Sequence, residues 1–89
     1  MEYIQLEWFH DMDTEPYIIY SEINDQRYEV RKVEVFKNGI IRYREEISDS
    51  EIELADIQFP EDLNEINQDK QFHAMYIEKK EFERIWNAE

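Results

Sequence analysis

Val33-Glu34-Val35-Phe36-Lys37-Asn38-Gly39-Ile40-Ile41-Arg42-Tyr43 is the stretch that decides the fold. Two β-branched and aromatic runs flank Asn-Gly, the dipeptide that best tolerates the positive φ angles of a type I′ turn. The twist of that turn matches a two-stranded ribbon. Gly39 is the chain's only glycine, so its position here carries information. The pattern predicts an antiparallel hairpin over residues 28–37 and 40–45.

Working outward, Ile4, Leu6 and Trp8 alternate with Gln5 and Glu7, the period-two signature of a half-buried strand. Asp11 to Pro16 forms a polar break. Tyr17-Ile18-Ile19-Tyr20-Ser21-Glu22-Ile23 reads as a second strand, and Asn24-Asp25-Gln26 turns the chain into the third. Downstream, Glu51-Ile52-Glu53-Leu54 offers a short fifth edge strand. Pro60 suits the first position of a helix, with Glu61 and Asp62 favourable at its positive end. Met75-Tyr76-Ile77 reads as a short strand or an extended lead-in. Phe82, Ile85 and Trp86 then form the apolar stripe of a terminal helix. The expected fold is α+β in a single domain over residues 1–89: an antiparallel meander of four to five strands, with one or two helices near the C-terminus on one of its faces.

The third strand carries an internal conflict. Tyr28 and Val30 share one face, whereas Val33 and Val35 share the other with Glu29 and Arg31. Either a bulge resets the register, or Arg31 enters a partly buried position and pairs with a carboxylate.

Eighty-nine residues supply one domain with a thin stability margin. With 42% hydrophobic and 15% aromatic residues, the chain can nevertheless build a core, which argues against disorder. The absence of Cys removes disulfides, thiolate zinc sites and Cys nucleophiles together. The N-terminus lacks the basic and apolar regions of a signal peptide, and no apolar run approaches the roughly 20 residues that span a bilayer. A cytoplasmic location is the expectation.

Charge is segregated as well as large. The formal net charge is −13, and the ten acidic residues from Glu45 to Asp69 stand without one Lys or Arg among them. Arg27, Arg31, Lys32, Lys37, Arg42 and Arg44 form a basic island just upstream. Interleaved with Tyr28, Phe36 and Tyr43, that island has the outline of a nucleic-acid platform. In so acidic a chain it reads better as strands neutralising neighbouring Glu residues. Nucleic acid and anionic membranes are repelled at long range.

Catalytic and metal signatures are weak. Asp11, Asp13, Glu15 and Glu22 fall at positions 1, 3, 5 and 12 of a calcium loop, but Pro16 stands where the loop needs glycine. His10 beside Asp11 lacks a second nitrogen ligand. Ser21, Ser48 and Ser50 sit in no nucleophile motif, and His73 reads as lining the core edge. A single glycine cannot form a phosphate loop. No catalytic residue, metal or cofactor is expected.

The acidic block is punctuated by Ile47, Ile52, Leu54, Ile57 and Phe59, and apolar anchors inside a charged rim are how interfaces are built. The expected partner-binding residues are Glu45, Glu46, Asp49, Glu51, Glu53 and Asp56, with Asp11 and Asp13 as a second rim. The partner class is a basic protein, such as a toxin or nuclease domain, and the oligomeric state is open. The alternatives are a small regulatory or accessory domain whose acids are only a solvated face, or a small metal-dependent hydrolase using Asp11, Asp13 or Glu15 with His10.

Trp8-Phe9-His10-Asp11, Arg27-Tyr28-Glu29, Arg31-Lys32-Val33-Glu34-Val35-Phe36, Glu65-Ile66-Asn67, Phe72 and Glu81-Phe82 through Trp86 together resemble a small bacterial domain family of about 90 residues. The resemblance covers nearly the whole chain. That family has no assigned activity, so it implies a bacterial cytoplasmic protein and supplies no site residues. In type only, small acidic proteins of this kind look like the immunity partners of bacterial toxins.

Overall fold

The Asn38-Gly39 reversal joins two antiparallel strands, with its turn closed one residue earlier than the sequence predicts. A computed structural model of the chain describes residues 1–39, 41–45 and 58–87. Strand β3 (Glu29–Val35) pairs with β4 (Ile41–Glu45) from Arg31 opposite Glu45 to Val35 opposite Ile41. Gly39 has φ +83° and donates its N–H to the Phe36 carbonyl at 3.0 Å. Asn38 is not left-handed, so the expected type I′ turn, which needs two positive φ angles, is replaced. Nothing lies within 4 Å of a Cβ built on Gly39. The glycine is therefore required by its dihedral and not by crowding.

Strands β1 (Glu2–Trp8) and β2 (Ile18–Ile23) occupy the positions their alternation predicts. The fifth strand is β5 (Phe72–Ile77), which lies antiparallel against β1. The resulting order is β4-β3-β2-β1-β5, a meander whose last strand returns to flank its first. The expected edge strand at 51–54 lies outside the described residues. The outer edge of β5 is partly covered. The Asn67 side chain accepts the Ala74 N–H and donates to the Ala74 carbonyl, filling two backbone positions that an edge strand otherwise leaves open.

Alternation along β1 puts Tyr3 and Ile4 on opposite faces, and each face has its own core. Tyr3, Tyr20 and Val33 pack with Phe82 of helix α2 (Lys79–Trp86), joined by Ile85 and Trp86. Ile4, Ile23 and Ala74 pack on the other face with Leu63, with Ile66 of the one-turn helix α1 (Asn64–Asn67) and with Phe59. The helices thus lie on opposite faces, and the expectation of a single helical face is corrected. A sheet of this size has two apolar faces to cover, and one eight-residue helix covers only one of them. Phe82 is fully buried; its truncation to Ala is expected to cost on the order of 3–5 kcal/mol.

Helix α1 begins at Asn64 and not at Pro60, because the chain at 58–60 is committed elsewhere. Arg27, itself left-handed at φ 66°, accepts the Phe59 N–H on its carbonyl. Its guanidinium donates to the Phe59 and Pro60 carbonyls, to Glu2 and to the Tyr76 hydroxyl. Four acceptors offset a backbone conformation that costs a non-glycine residue about 1–2 kcal/mol. The Asp62 carboxylate accepts the Asn64 N–H and opens the helical turn.

Both resolutions of the β3 conflict occur together. The register shifts between Glu22/Ile23, with Glu22 opposite Arg31 but Ile23 opposite Glu29. Val30 is the extra residue, so Glu29 crosses to the α1 face and accepts a 2.5 Å bond from Ser21 there. Arg31 stays on the α2 face. Its Nε and Nη2 donate to both oxygens of Glu22 at 2.7 and 2.8 Å, and Nη2 also reaches Glu83 of α2 at 2.6 Å. The guanidinium carbon lies 4.9 Å from the Phe82 ring centre and 4.8 Å from that of Trp86. Tyr3 completes the cluster, donating its hydroxyl to Glu22 at 2.8 Å.

These contacts set the protonation states. The Arg31 guanidinium holds the Glu22 carboxyl below the ordinary carboxylate range, against burial and with help from Tyr3. Burial, reinforced by the hydrogen bond to Glu22, pushes the Tyr3 hydroxyl up to about 12. Glu22 therefore adds stability at neutral pH that is lost as pH falls through its lowered folded value. Tyr3 adds stability that is complete below its ordinary value near 10 and is lost as pH rises toward 12. Chemical denaturation across pH should show both limbs, with Glu22→Gln flattening the acid one and Tyr3→Phe the alkaline one. Arg31→Met retains an apolar stem but leaves Glu22 buried without its cation, and is expected to lose about 3 kcal/mol. A double-mutant cycle between Arg31 and Glu22 checks the assignment, and coupling below about 0.5 kcal/mol would exclude it.

Candidate functional site

At the end of the sheet where β1 finishes and β2 begins, a surface cleft of about 430 Å³ is lined by Glu7, Trp8, Phe9, His10, Tyr17, Ile18 and Lys37. Backbone bonds fix its frame. The Trp8 N–H donates to Tyr17, the Phe9 N–H to Gln71, and the Tyr17 N–H to Val35, at 2.9, 2.7 and 2.9 Å. Glu7 stands opposite Ile18 on the α2 face. Glu7 and Tyr17 both bear electrostatically on the buried Tyr20 hydroxyl, which desolvation raises above its ordinary value. Among the described residues Glu7 makes no ion pair.

The lining carries exposed apolar surface, Phe9 at 55% and Tyr17 at 36%, and Met12 is 43% exposed on the loop that follows. Trp8 is more enclosed, edge-on to His10 with ring centres 4.4 Å apart and stacked on Phe72. Its indole N–H is buried without an acceptor among the described residues.

His10 closes the acidic loop. The Met12 N–H donates to His10 Nδ1 at 3.0 Å, and Nε2 lies 2.7 Å from the Pro16 carbonyl. A nitrogen that accepts carries no proton, so the proton sits on Nε2 and donates to Pro16: a neutral tautomer dictated by two backbone groups. Asp11 and Asp13 are exposed on this loop, and Asp13 meets Lys37 of the β3–β4 connection at 3.5 Å.

Of the two acids expected to form a second binding rim, Asp13 is tied to the cleft through the lining residue Lys37, and Asp11 is exposed on the loop that His10 closes. Glu45 ends β4 opposite Arg31. Glu46, Asp49, Glu51, Glu53 and Asp56 lie outside the described residues. Glu22, the calcium-loop match at position 12, is turned into the α2 core and bound to Arg31. Among the described residues no three His, Asp or Glu side chains gather in a metal-holding group. His73 is exposed on β5 and does not line the core edge as its sequence context predicts. The basic island is largely neutralised, with Arg27, Arg31, Lys32 and Lys37 paired to Glu2, Glu22 and Glu83, Glu34, and Asp13. The cleft residues Glu7, Phe9 and Tyr17 escaped sequence reasoning. The only signal for them was a pair of aromatics bracketing the polar break.

The model of a protein family described as a domain of unknown function, DUF6881, matches residues 2–89. The chain belongs to DUF6881. As a DUF6881 domain it has the full-length, single-family match that its sequence resemblance implies, from a family without an assigned activity. No curated protein and no solved structure matches the chain. Among the described residues of this DUF6881 member, no helix is long and apolar enough to cross a membrane.

His10→Phe preserves the ring against Trp8 while deleting both loop hydrogen bonds. The expected result is faster amide hydrogen exchange at Met12, with exchange in the β1 and β2 ladder unchanged. Equal protection of Met12 in both proteins would remove His10 from this role.

Proposed function

We propose that this DUF6881 domain is a non-enzymatic, cytoplasmic acidic binding protein, of the immunity or antitoxin type, that captures a basic toxin or nuclease domain. The observation that supports this reading best is the exposed Phe9 and Tyr17 surface in a cleft that Glu7 also lines, with Met12, Asp11 and Asp13 exposed on the adjoining loop, on a chain of net charge −13. Apolar anchors within a charged rim are the anatomy of a protein interface. Nuclease sites are cationic because they hold phosphates, so an acidic plug is a sound inhibitor, drawn in by long-range attraction. The residues proposed to steer capture are Glu45, Glu46, Asp49, Glu51, Glu53 and Asp56, with Asp11 and Asp13 at the second rim. The family's lack of an assigned activity fits a second reading equally, a regulatory or accessory domain whose acids serve only solubility.

Co-purification from the native cells, followed by stopped-flow association with the basic protein recovered, separates the two. Combined Glu51→Lys, Glu53→Lys and Asp56→Lys is expected to slow association about tenfold at low salt and to flatten its salt dependence. An unchanged rate and salt slope would assign the block to solubility alone.

A further inference from the structure

The cleft has a composition that suits one kind of guest. Its lining combines exposed aromatic surface from Phe9 and Tyr17, aliphatic surface from Ile18, and one partly buried carboxylate, Glu7, that no cation of the described residues neutralises. Taking a carboxylate partly out of water without a counter-charge is unfavourable, and a cation arriving at that point recovers the loss. Aromatic side chains in the same lining as the carboxylate favour a cation that is weakly hydrated and planar. Guanidinium meets both conditions better than ammonium, which holds its water tightly.

The same molecule shows this chemistry twice. Arg31 lies under 5 Å from two aromatic ring centres while bonding two carboxylates, and Arg27 lies 5.9 Å from the Tyr76 ring centre while bonding Glu2. At the cleft, the aromatic and carboxylate groups are present and the arginine is missing among the described residues. Lys37, the cation of the lining, is drawn toward Asp13. With Asp11 exposed on the adjoining loop and a net charge of −13 on the chain, long-range attraction favours a cation.

We infer that the cleft is the receptor for a single arginine side chain presented by the protein partner. Its stem lies along Phe9, Tyr17 and Ile18, and its guanidinium meets the Glu7 carboxylate. This rests on the binding-protein reading and specifies its anchor: the acidic block governs approach, and the cleft governs which residue of the partner is gripped.

The test is a titration of the full chain with N-acetyl-arginine amide, followed by amide chemical shifts, with the norleucine and lysine analogues as controls. Saturable shifts are expected at Glu7, Phe9, Tyr17 and Ile18, with a dissociation constant on the order of 1–10 mM. The lysine analogue should bind more weakly and the norleucine analogue not at all. Glu7→Gln should weaken binding about fivefold or more, roughly the contribution of one charge-assisted contact. Phe9→Leu should also weaken it, and serves alone if Glu7→Gln disturbs the fold. Lys37→Gln should strengthen binding about twofold by removing a competing cation. Shifts scattered over the surface, or binding indifferent to both Glu7→Gln and Phe9→Leu, would overturn the assignment. The acidic-block measurement is independent of this one. Failure here with a slowed charge-reversed block removes the arginine receptor and leaves electrostatic capture standing; the opposite pair of results removes the block and keeps the cleft.

Discussion

One guanidinium ties the domain together. Arg31 sits on β3, its carboxylate partners lie on β2 and α2, and the two rings beside it belong to α2. The helix is only eight residues long, below the length at which helices persist alone in water. It exists because its apolar stripe has a sheet to cover and because Glu83 and Trp86 have Arg31 to grip. Removing the cation therefore does more than delete one ion pair. Glu22 is left as a buried charge with the Tyr3 hydroxyl as its remaining donor, and α2 loses its ion-paired tie to β3.

The bulge at Val30 makes this possible. Without it Glu29 and Arg31 would share a face, and the α2 core would hold an additional carboxylate. The extra residue moves Glu29 to the opposite face, where Ser21 receives it, and leaves Glu22 as the cross-strand partner of Arg31. A local irregularity in the ladder thus sorts two buried acids into separate environments, each with its own donor. Arg27 performs a comparable service on the other face, where its left-handed backbone and forked side chain bind the returning chain at 58–60.

Elements governed by local periodicity were legible in the sequence. β1, β2 and α2 each carry one apolar stripe, at period two or 3.6, and each formed where that stripe lies; the hairpin strands were marked by Asn38-Gly39, with the bulge at Val30 resolving the broken alternation of β3. β5 was only half legible because Phe72, Ala74 and Tyr76 on one face and Met75 and Ile77 on the other are all apolar, which erases alternation. Its identity depends on pairing with β1, a non-local fact. Pro60 carried a sound helix-start signal, yet Arg27, more than thirty residues away in sequence, holds its carbonyl. The cleft was hidden for a similar reason. Tyr17 reads as the start of the second strand and Phe9 follows the alternation of the first, and nothing in residue type alone says that an aromatic ring remains at the surface.

The strand order carries a consequence for how the domain comes into being. β1 is flanked by β2, its neighbour in sequence, and by β5, which arrives only after most of the chain has been laid down; Leu6 stands opposite both Ile19 and Ala74. Closing so long a loop has an entropic cost that must be met before the contacts return anything. The first four strands can assemble as a local meander while one edge of β1 waits. The late docking of β5 then carries α2 to its place over the sheet. Assembly of this domain is therefore expected to be timed by the meeting of its first and fifth strands, with the Arg31 clasp fastening last.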